Sequence, residues 1–293
     1  MTNVPVSVLI PTKDEERNLP STLESLTWAD QIVVFDSYSE DGTRSIAERF
    51  GCDFFQREFD NFSDHKNWAL DNLSFRHSWI LILDADEKVS PALKDEIGEI
   101  CAKQREFDAY YIARQTWIDG VWLKYAGCFP DYNIRLLQKG RARYERRIVH
   151  EHMLVDGAVG FLKNPIVHID KKGTHRYVDR HSKYAEMEAV EAYIEILKQT
   201  RTNSILDRKK IHLKRRRLKI ISYKYLIFRP VFVFIYMYVL KLGFVMGKTG
   251  LKICTLRMFY EYMIDLYLTE IRDHSSPIFR KYQAYIQQRS SEQ

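Results

Sequence analysis

The chain has no CxxC pair: its four cysteines, Cys52, Cys101, Cys128 and Cys254, lie far apart. That argues against a zinc ribbon and against a disulfide framework, and it fits a reducing compartment. No GxGxxG follows the first strand-like segment and no GxxxxGKS/T occurs. A dinucleotide fingerprint is therefore disfavoured and a P-loop is out. The "VHEH" of residues 149–152 is followed by Leu154 where a zinc protease would need a second histidine. The start, "MTNVPVSVLIPTKDEE", lacks the basic opening and long apolar stretch of a signal peptide, so the expectation is that the chain stays inside the cell. No repeat of fixed period and no low-complexity stretch is found.

Long hydrophobic runs are also scarce. "YLIFRPVFVFIYMYVLKLGFVMG" is the most apolar stretch, but Arg229 and Lys241 bracket an uncharged run of only about eleven residues, against roughly twenty for a spanning helix. An interfacial or re-entrant segment is expected, with tyrosines at headgroup depth; a buried core helix is the alternative.

What is present is an ordinary globular composition, 45% hydrophobic and 29% charged, with 18 Tyr and 16 Phe that gather toward the last quarter. The net charge of +6 is uneven: "RKKIHLKRRRLK", Arg208 to Lys219, holds eight cations and no acid. Such a block calls for an anionic surface, phospholipid headgroups or nucleic acid. No aromatic-interleaved strand platform accompanies it, which disfavours the nucleic-acid reading.

The first hundred residues alternate strand and helix signals as in a parallel sheet covered on both faces. Strands are expected at "VSVLIP", "QIVVFD", "CDFFQ" and "WILILD", with helices near 19–26, 43–50 and 64–73. Ser90 followed by Pro91 opens a further helix. "AYYIARQ" and "YNIRLLQ" read as strands, and "VDRHSKYAEMEAVEAYIEILKQ" as a long helix. The character changes near residue 204, giving an expected α/β domain over 1–203 and a basic, aromatic helical region over 204–293.

Polar residues collect where the strands end. Pro11, Thr12, Asp14 and Glu15 follow the first strand, Asp36 closes the second, and Asp84 with Asp86 closes the fourth. The crevice at the carboxyl ends of an open parallel sheet is where ligands bind. With no glycine loop to hold phosphate, a metal ion becomes the expected holder. In an extended segment residues i and i+2 project to one side, so Asp84 and Asp86 would reach a common Mg²⁺ or Mn²⁺ while Glu87 points away as a surface or helix-start residue. A solvated loop is the alternative.

These segments together resemble a known family. "VSVLIPTKDEERNLPSTLESL", "VVFDSYSEDGT", "DHKNWALDN", "WILILDADE", "GCFPDYNIRLL" and "IVHEHM" occur in the order and spacing of the family 2 glycosyltransferases, enzymes of nucleotide-diphospho-sugars with the GT-A fold. The chain is most similar to the bacterial lipopolysaccharide-core β-glucosyltransferase subgroup, whose membrane-associated C-terminal segment the apolar tail also resembles. The resemblance implies a mostly parallel sheet with helices on both faces and a C-terminal helical, membrane-associated extension. It implies that Pro11, Thr12, Glu15 and Asp36 hold the nucleoside, that Asp84 lies near ribose and metal, and that Lys66 approaches the nucleotide. Asp86 would bind Mg²⁺ or Mn²⁺, with Asp84 and His168 completing the metal shell. Glu151 would be the base for single-step inversion, with His150 and His152 orienting its loop, binding acceptor or serving as plain polar residues; Arg135 would contact acceptor or pin a loop. Asp14 stands where many relatives carry Asn, so it is not expected to bind. The implied partners are a UDP-sugar donor, a lipid-linked glycan acceptor and an anionic membrane surface, with no nucleic acid. The implied location is the cytoplasmic face of a bacterial inner membrane. Capsule or exopolysaccharide assembly with another donor is the alternative.

Overall fold

The computed structural model describes residues 3–103, 106–145, 152–201 and 228–291. The chain divides into two compact units, one ending at Gly173 and the other starting at Thr174.

The N-terminal unit is built on β1 (Val4–Thr12), β2 (Ala29–Asp36), β3 (Asp53–Gln56) and β4 (Trp79–Ile82), all parallel, with β1 between β2 and β4. These strands are near-continuous apolar runs because both faces are covered. Pro11, which has no N–H, is accommodated in a central strand because β4 pairs only with Ser7 to Leu9; beyond that, β1 is bonded on one side. Helices α1 (Leu19–Glu24), α2 (Thr43–Arg49), α3 (Phe62–Asn72) and α4 (Pro91–Ala102) complete the first half. The Ser90 cap is formed, its hydroxyl accepting the Leu93 N–H at 3.2 Å. At α3 the cap is Asn61, which accepts the Asp64 N–H at 2.9 Å, so the helix starts earlier than expected.

Past β4 the sheet becomes mixed. β6 (Ala109–Ile118) and β8 (Asp131–Gln138) continue it antiparallel, and β12 (Ile166–His168) and β5 (Glu87–Lys88) close its far edge. β7 (Val121–Trp122) and β11 (Val159–Phe161) also pair with β6, while β9 (Ala142–Tyr144) and β10 (Met153–Val155) form a separate ribbon. Two hydrophobic clusters, one on each face of the sheet, include Val8, Ile10, Leu23 and Leu93 on one side and Leu9, Phe35, Ile82 and Leu137 on the other.

The C-terminal unit consists of α5 (Gly173–Arg201), α6 (Arg229–Ile235), α7 (Gly247–Glu270) and α8 (Pro277–Ser291). Composition changes near 204, but α5 joins this unit because its inward stripe, Ala185, Ala189, Val190 and Ile194, shares a core with Tyr260, Ile264 and Leu268 of α7 and Ile278 and Ile286 of α8. Between α6 and α7 the chain passes through a π-helical turn at Tyr236–Leu240 and a 3-10 turn at Gly243–Met246.

Candidate active site at the strand ends

The expected polar residues do converge at the carboxyl ends of β1, β2 and β4, but not in the pattern that strand alternation implies. β4 stops at Ile82 and the chain turns through Asp84 to Glu87, where the Glu87 N–H donates to the Asp84 carbonyl at 3.0 Å. In a turn, residues i and i+2 need not share a side, and here the two carboxylates take different partners. Arg135 of β8 donates to Asp84 Oδ2 at 2.7 Å and to Glu87 Oε1 at 2.8 Å. Asp86 Oδ2 instead lies 3.1 Å from His168 Nε2 at the end of β12.

Glu87 corrects a second expectation. It is fully buried, and besides Arg135 it accepts the Asp84 N–H at 2.9 Å, so it fastens the turn from inside. Antiparallel pairing of β5 with β12 sets Glu87 opposite His168, and the Ile169 N–H donates to the Asp86 carbonyl at 2.9 Å. Arg135 pins the loop, the outcome left open by the sequence. Two carboxylates on one guanidinium divide unequally. Burial pushes Glu87 up to about 7, with Arg135 opposing, whereas burial at Asp84 is outweighed by Arg135, which holds it well below the usual carboxylate range.

Asp36 is also buried and saturated. Its carboxylate accepts the Thr12 hydroxyl at 2.9 Å, the Ser39 N–H at 2.8 Å and the Gln56 amide at 3.1 Å. It therefore knits the ends of β1, β2 and β3 together. Pro11 and Thr12 lie opposite Phe35 and Asp36 in register. Glu15 accepts from Lys172 at 2.6 Å and from Asn18 at 3.0 Å; burial pushes it up to about 7 against the opposing Lys172 charge. Lys66 of α3 lies 4.8 Å from the Tyr144 ring centroid, and its charge helps to hold Asp84 ionised. Asp14 adopts a left-handed backbone, φ 54°, and its carboxylate accepts the Glu40 N–H at 3.0 Å. Glu151, His150 and the 208–219 block lie outside the described residues.

Among the described residues no group of three or more His, Cys, Asp or Glu side chains could hold a metal ion. What the fold assembles is the Asp86–His168 pair. Its donors, a carboxylate and an imidazole, suit Mn²⁺, and a divalent ion held by one or two protein ligands takes its remaining oxygens from substrate phosphates and water. His168 Nδ1 is buried with no hydrogen-bond partner, so the ring's polar contact is directed through Nε2 toward Asp86. Burial would lower the imidazole, but the bond to Asp86 and the Glu87 charge raise it. The pair fits a divalent ion; Asp84, committed to Arg135, stands beside it.

Asn18 and Lys172 were not singled out by sequence. Asn18 carried a faint signal, a capping residue type just before "LP", while Lys172 is one lysine among many and carried none.

Comparison with known proteins agrees with this architecture. A mannosyltransferase from Pyrobaculum calidifontis, solved with GDP-Man and Mn²⁺, superposes with a TM-score of 0.50 over 92% of this chain and 88% of its own, at 13% identity, a likeness of the GT-A fold alone. The lipopolysaccharide core biosynthesis glycosyltransferase LpsC of Rhizobium meliloti is 26% identical over 64% of this chain and 71% of its own length. An uncharacterized glycosyltransferase of Rickettsia bellii is 34% identical over 34% of each. The profile of Glycosyl transferase family 2 matches residues 7–170, more than half of the sequence and nearly all of the N-terminal unit, and the chain belongs to that family.

Proposed function

We propose that the protein is an inverting, divalent-metal-dependent hexosyltransferase that moves a hexose, with glucose the first candidate, from a UDP-sugar to a lipid-linked glycan such as lipopolysaccharide core. The observation that carries this reading is the Asp86–His168 pair, 3.1 Å apart at the strand ends and backed by the buried Arg135–Glu87 pair, which also holds the half-exposed Asp84. A bound Mg²⁺ or Mn²⁺ would supply Lewis-acid stabilisation of the charge on the departing diphosphate.

The protein's own residues supply the rest. Asp86 and His168 would hold that ion through one carboxylate oxygen and the neutral imidazole Nε2, in place of the hydrogen bond between them. Arg135 fixes the turn so that Asp86 need not reorganise on binding. Pro11, Thr12 and Glu15 form the nucleoside side, with Asp36 as the buried knot that sets their spacing. Glu151 is the proposed base, taking the acceptor hydroxyl proton as that oxygen attacks the anomeric carbon opposite the diphosphate.

The C-terminal unit supports a membrane-borne acceptor. Of the 22 exposed large hydrophobic residues among those described, 14 fall between Phe228 and Leu266. On α6 and its π turn they are Phe228, Val231, Phe232, Ile235, Tyr236, Val239 and Leu240, an i, i+3, i+4, i+7 stripe. No single helix among the described residues is long and apolar enough to cross a membrane; the stretches 229–240 and 243–270 pass only as a pair bent by 72°. A stripe of this kind, preceded in the sequence by a basic block, suits the headgroup boundary of an anionic leaflet, here the cytoplasmic face of a bacterial inner membrane. It does not favour the packed core helix.

The test is a donor screen with full-length protein, Mn²⁺ or Mg²⁺, and UDP-, GDP- and dTDP-sugars, read by hydrolysis and by protection from thermal unfolding. Asp86→Ala should abolish metal-dependent protection. Glu151→Gln should keep protection and stop transfer. Undiminished turnover in excess EDTA would remove the metal from the reading, and a strong preference for a non-uridine donor would favour capsule or exopolysaccharide assembly.

A further inference from the structure

The segment that follows His168 returns to the β1–α1 loop and is tied there. Asn18, which is 1% exposed, uses its whole amide group. Its Nδ2 donates to Glu15 Oε2 at 3.0 Å and to Asp170 Oδ1 at 3.3 Å, and its Oδ1 accepts the Lys171 N–H at 2.9 Å. Lys172 completes the tie: its ammonium donates to Glu15 Oε1 at 2.6 Å and to the Lys13 carbonyl at 3.0 Å. The lysine side chain is only 11% exposed, and Glu15 16%. A lysine so enclosed loses most of its water, and only a carboxylate in direct contact offsets that cost.

We propose that Lys172, seconded by Asn18, is a positioning residue for the donor nucleoside: it holds Glu15 as an oriented acceptor and ties it to the strand bearing His168. This rests on the reading that the crevice takes a nucleotide-sugar. Both oxygens of Glu15 are aimed by the clasp, Oε1 by Lys172 and Oε2 by Asn18, so the lone pairs left over point in one fixed direction. A ligand O–H or N–H then finds its acceptor without ordering a side chain. Charge matters as well as direction. Burial works against ionisation of Glu15, and the groups that bear on it are Lys172 after β12, Asn18 at the start of α1, and the like-charged Asp86 of the β4–β5 turn. Without Lys172, which opposes that burial, the carboxyl would keep its proton to a pH above the value of about 7 it has beside the lysine, and would cease to be a pure acceptor at neutral pH. The same tie runs from the nucleoside side to the His168 side of the crevice, so one clasp sets their separation.

The experiment compares wild type, Lys172→Met, Lys172→Arg and Asn18→Ala, all full length with Mn²⁺, by calorimetric UDP binding and steady-state turnover between pH 6 and 9. Lys172→Met should weaken UDP binding and raise donor KM about 10- to 100-fold while kcat stays within about threefold, because a charge-assisted hydrogen bond is lost from ground state and transition state alike. Its pH midpoint for UDP affinity should move upward. Lys172→Arg should restore affinity to within about threefold. A merely structural lysine would lower thermal stability without shifting the pH midpoint, and that result, or Lys172→Met binding UDP like wild type, overturns the proposal. Wild type that binds no nucleotide diphosphate at all overturns the donor reading and this one with it.

Discussion

The two units bury charge for opposite ends. In the N-terminal unit Arg135 is enclosed with Asp84 and Glu87, and what it steadies is a turn whose next residue, Asp86, faces a histidine. In the C-terminal unit Arg229 is enclosed with Glu261 and Asp265, donating to the Glu261 side chain and, at 2.8 Å and 2.7 Å, to the Glu261 carbonyl and Asp265 Oδ1. Among the described residues that knot sets Arg229 against two carboxylates and a carbonyl, and Arg257 joins it at Glu261 Oε1, 2.6 Å away. It fastens the start of α6 to the middle of α7, and next to it runs the exposed apolar stripe. One buried arginine shapes the candidate site; the other shapes a surface. Breaking a buried ion pair on one side leaves uncompensated charge, so both knots are costly to damage, yet the functions lost should differ.

The sharpest way to break this contrast is at Asp86. Asp86→Ala should lower transfer at least about a hundredfold with little change in vesicle binding, measured by initial rates and flotation on anionic vesicles. Arg135→Met comes next: it should cost about 3–5 kcal/mol in denaturant unfolding of the N-terminal unit and remove donor protection. Arg229→Met should cost a similar amount in the C-terminal unit, lose vesicle binding, and spare nucleotide protection. If Arg229→Met abolished UDP binding instead, the division of labour drawn here would be wrong.

A smaller effect is expected from His65 of α3. It is buried, stacked on Phe35 at 4.3 Å, and sits 3.2 Å from the Ser37 hydroxyl. Burial, aided by Arg57, lowers it to about 4. The folded state therefore resists a proton that the unfolded chain accepts below about 6.5, so stability should fall as pH drops from about 6.5 to 4 and level off below. Relative to His65→Gln, wild type should lose on the order of 2 kcal/mol across that window in urea midpoints. The smallest effect is at the surface: Phe232→Ser with Leu240→Ser should weaken vesicle binding about tenfold and leave turnover on a soluble acceptor unchanged.

Much of the fold was legible because the N-terminal strands are uninterrupted apolar runs that end in polar residues, and because Ser90-Pro91 and the long α5 pattern carry strong local signals. The site was legible as a place more than as a geometry. Asp86 and His168 lie 3.1 Å apart, but Asp84 turns to Arg135 instead, since a β turn replaces the extended segment on which the i, i+2 reasoning depends. Glu87 was read as a surface residue because nothing local announces Arg135, which lies 48 positions away in sequence. Lys172 and Asn18 were hidden for the same reason: their contacts span more than 150 residues. Long-range pairing of charges leaves no periodicity to read.

Gly243 and Gly250 meet where the chain turns between the two arms of the apolar stripe. A Cβ at Gly250 would overlap the carbonyl oxygen of Gly243, and one at Gly243 would sit 2.8 Å from the Met237 oxygen. The vertex thus tolerates no side chain, while the outward positions on either side of it, such as Phe232 and Phe244, are about half exposed. Those outward positions can therefore be rewritten with hydrophilic residues without disturbing the vertex, provided the two glycines are kept.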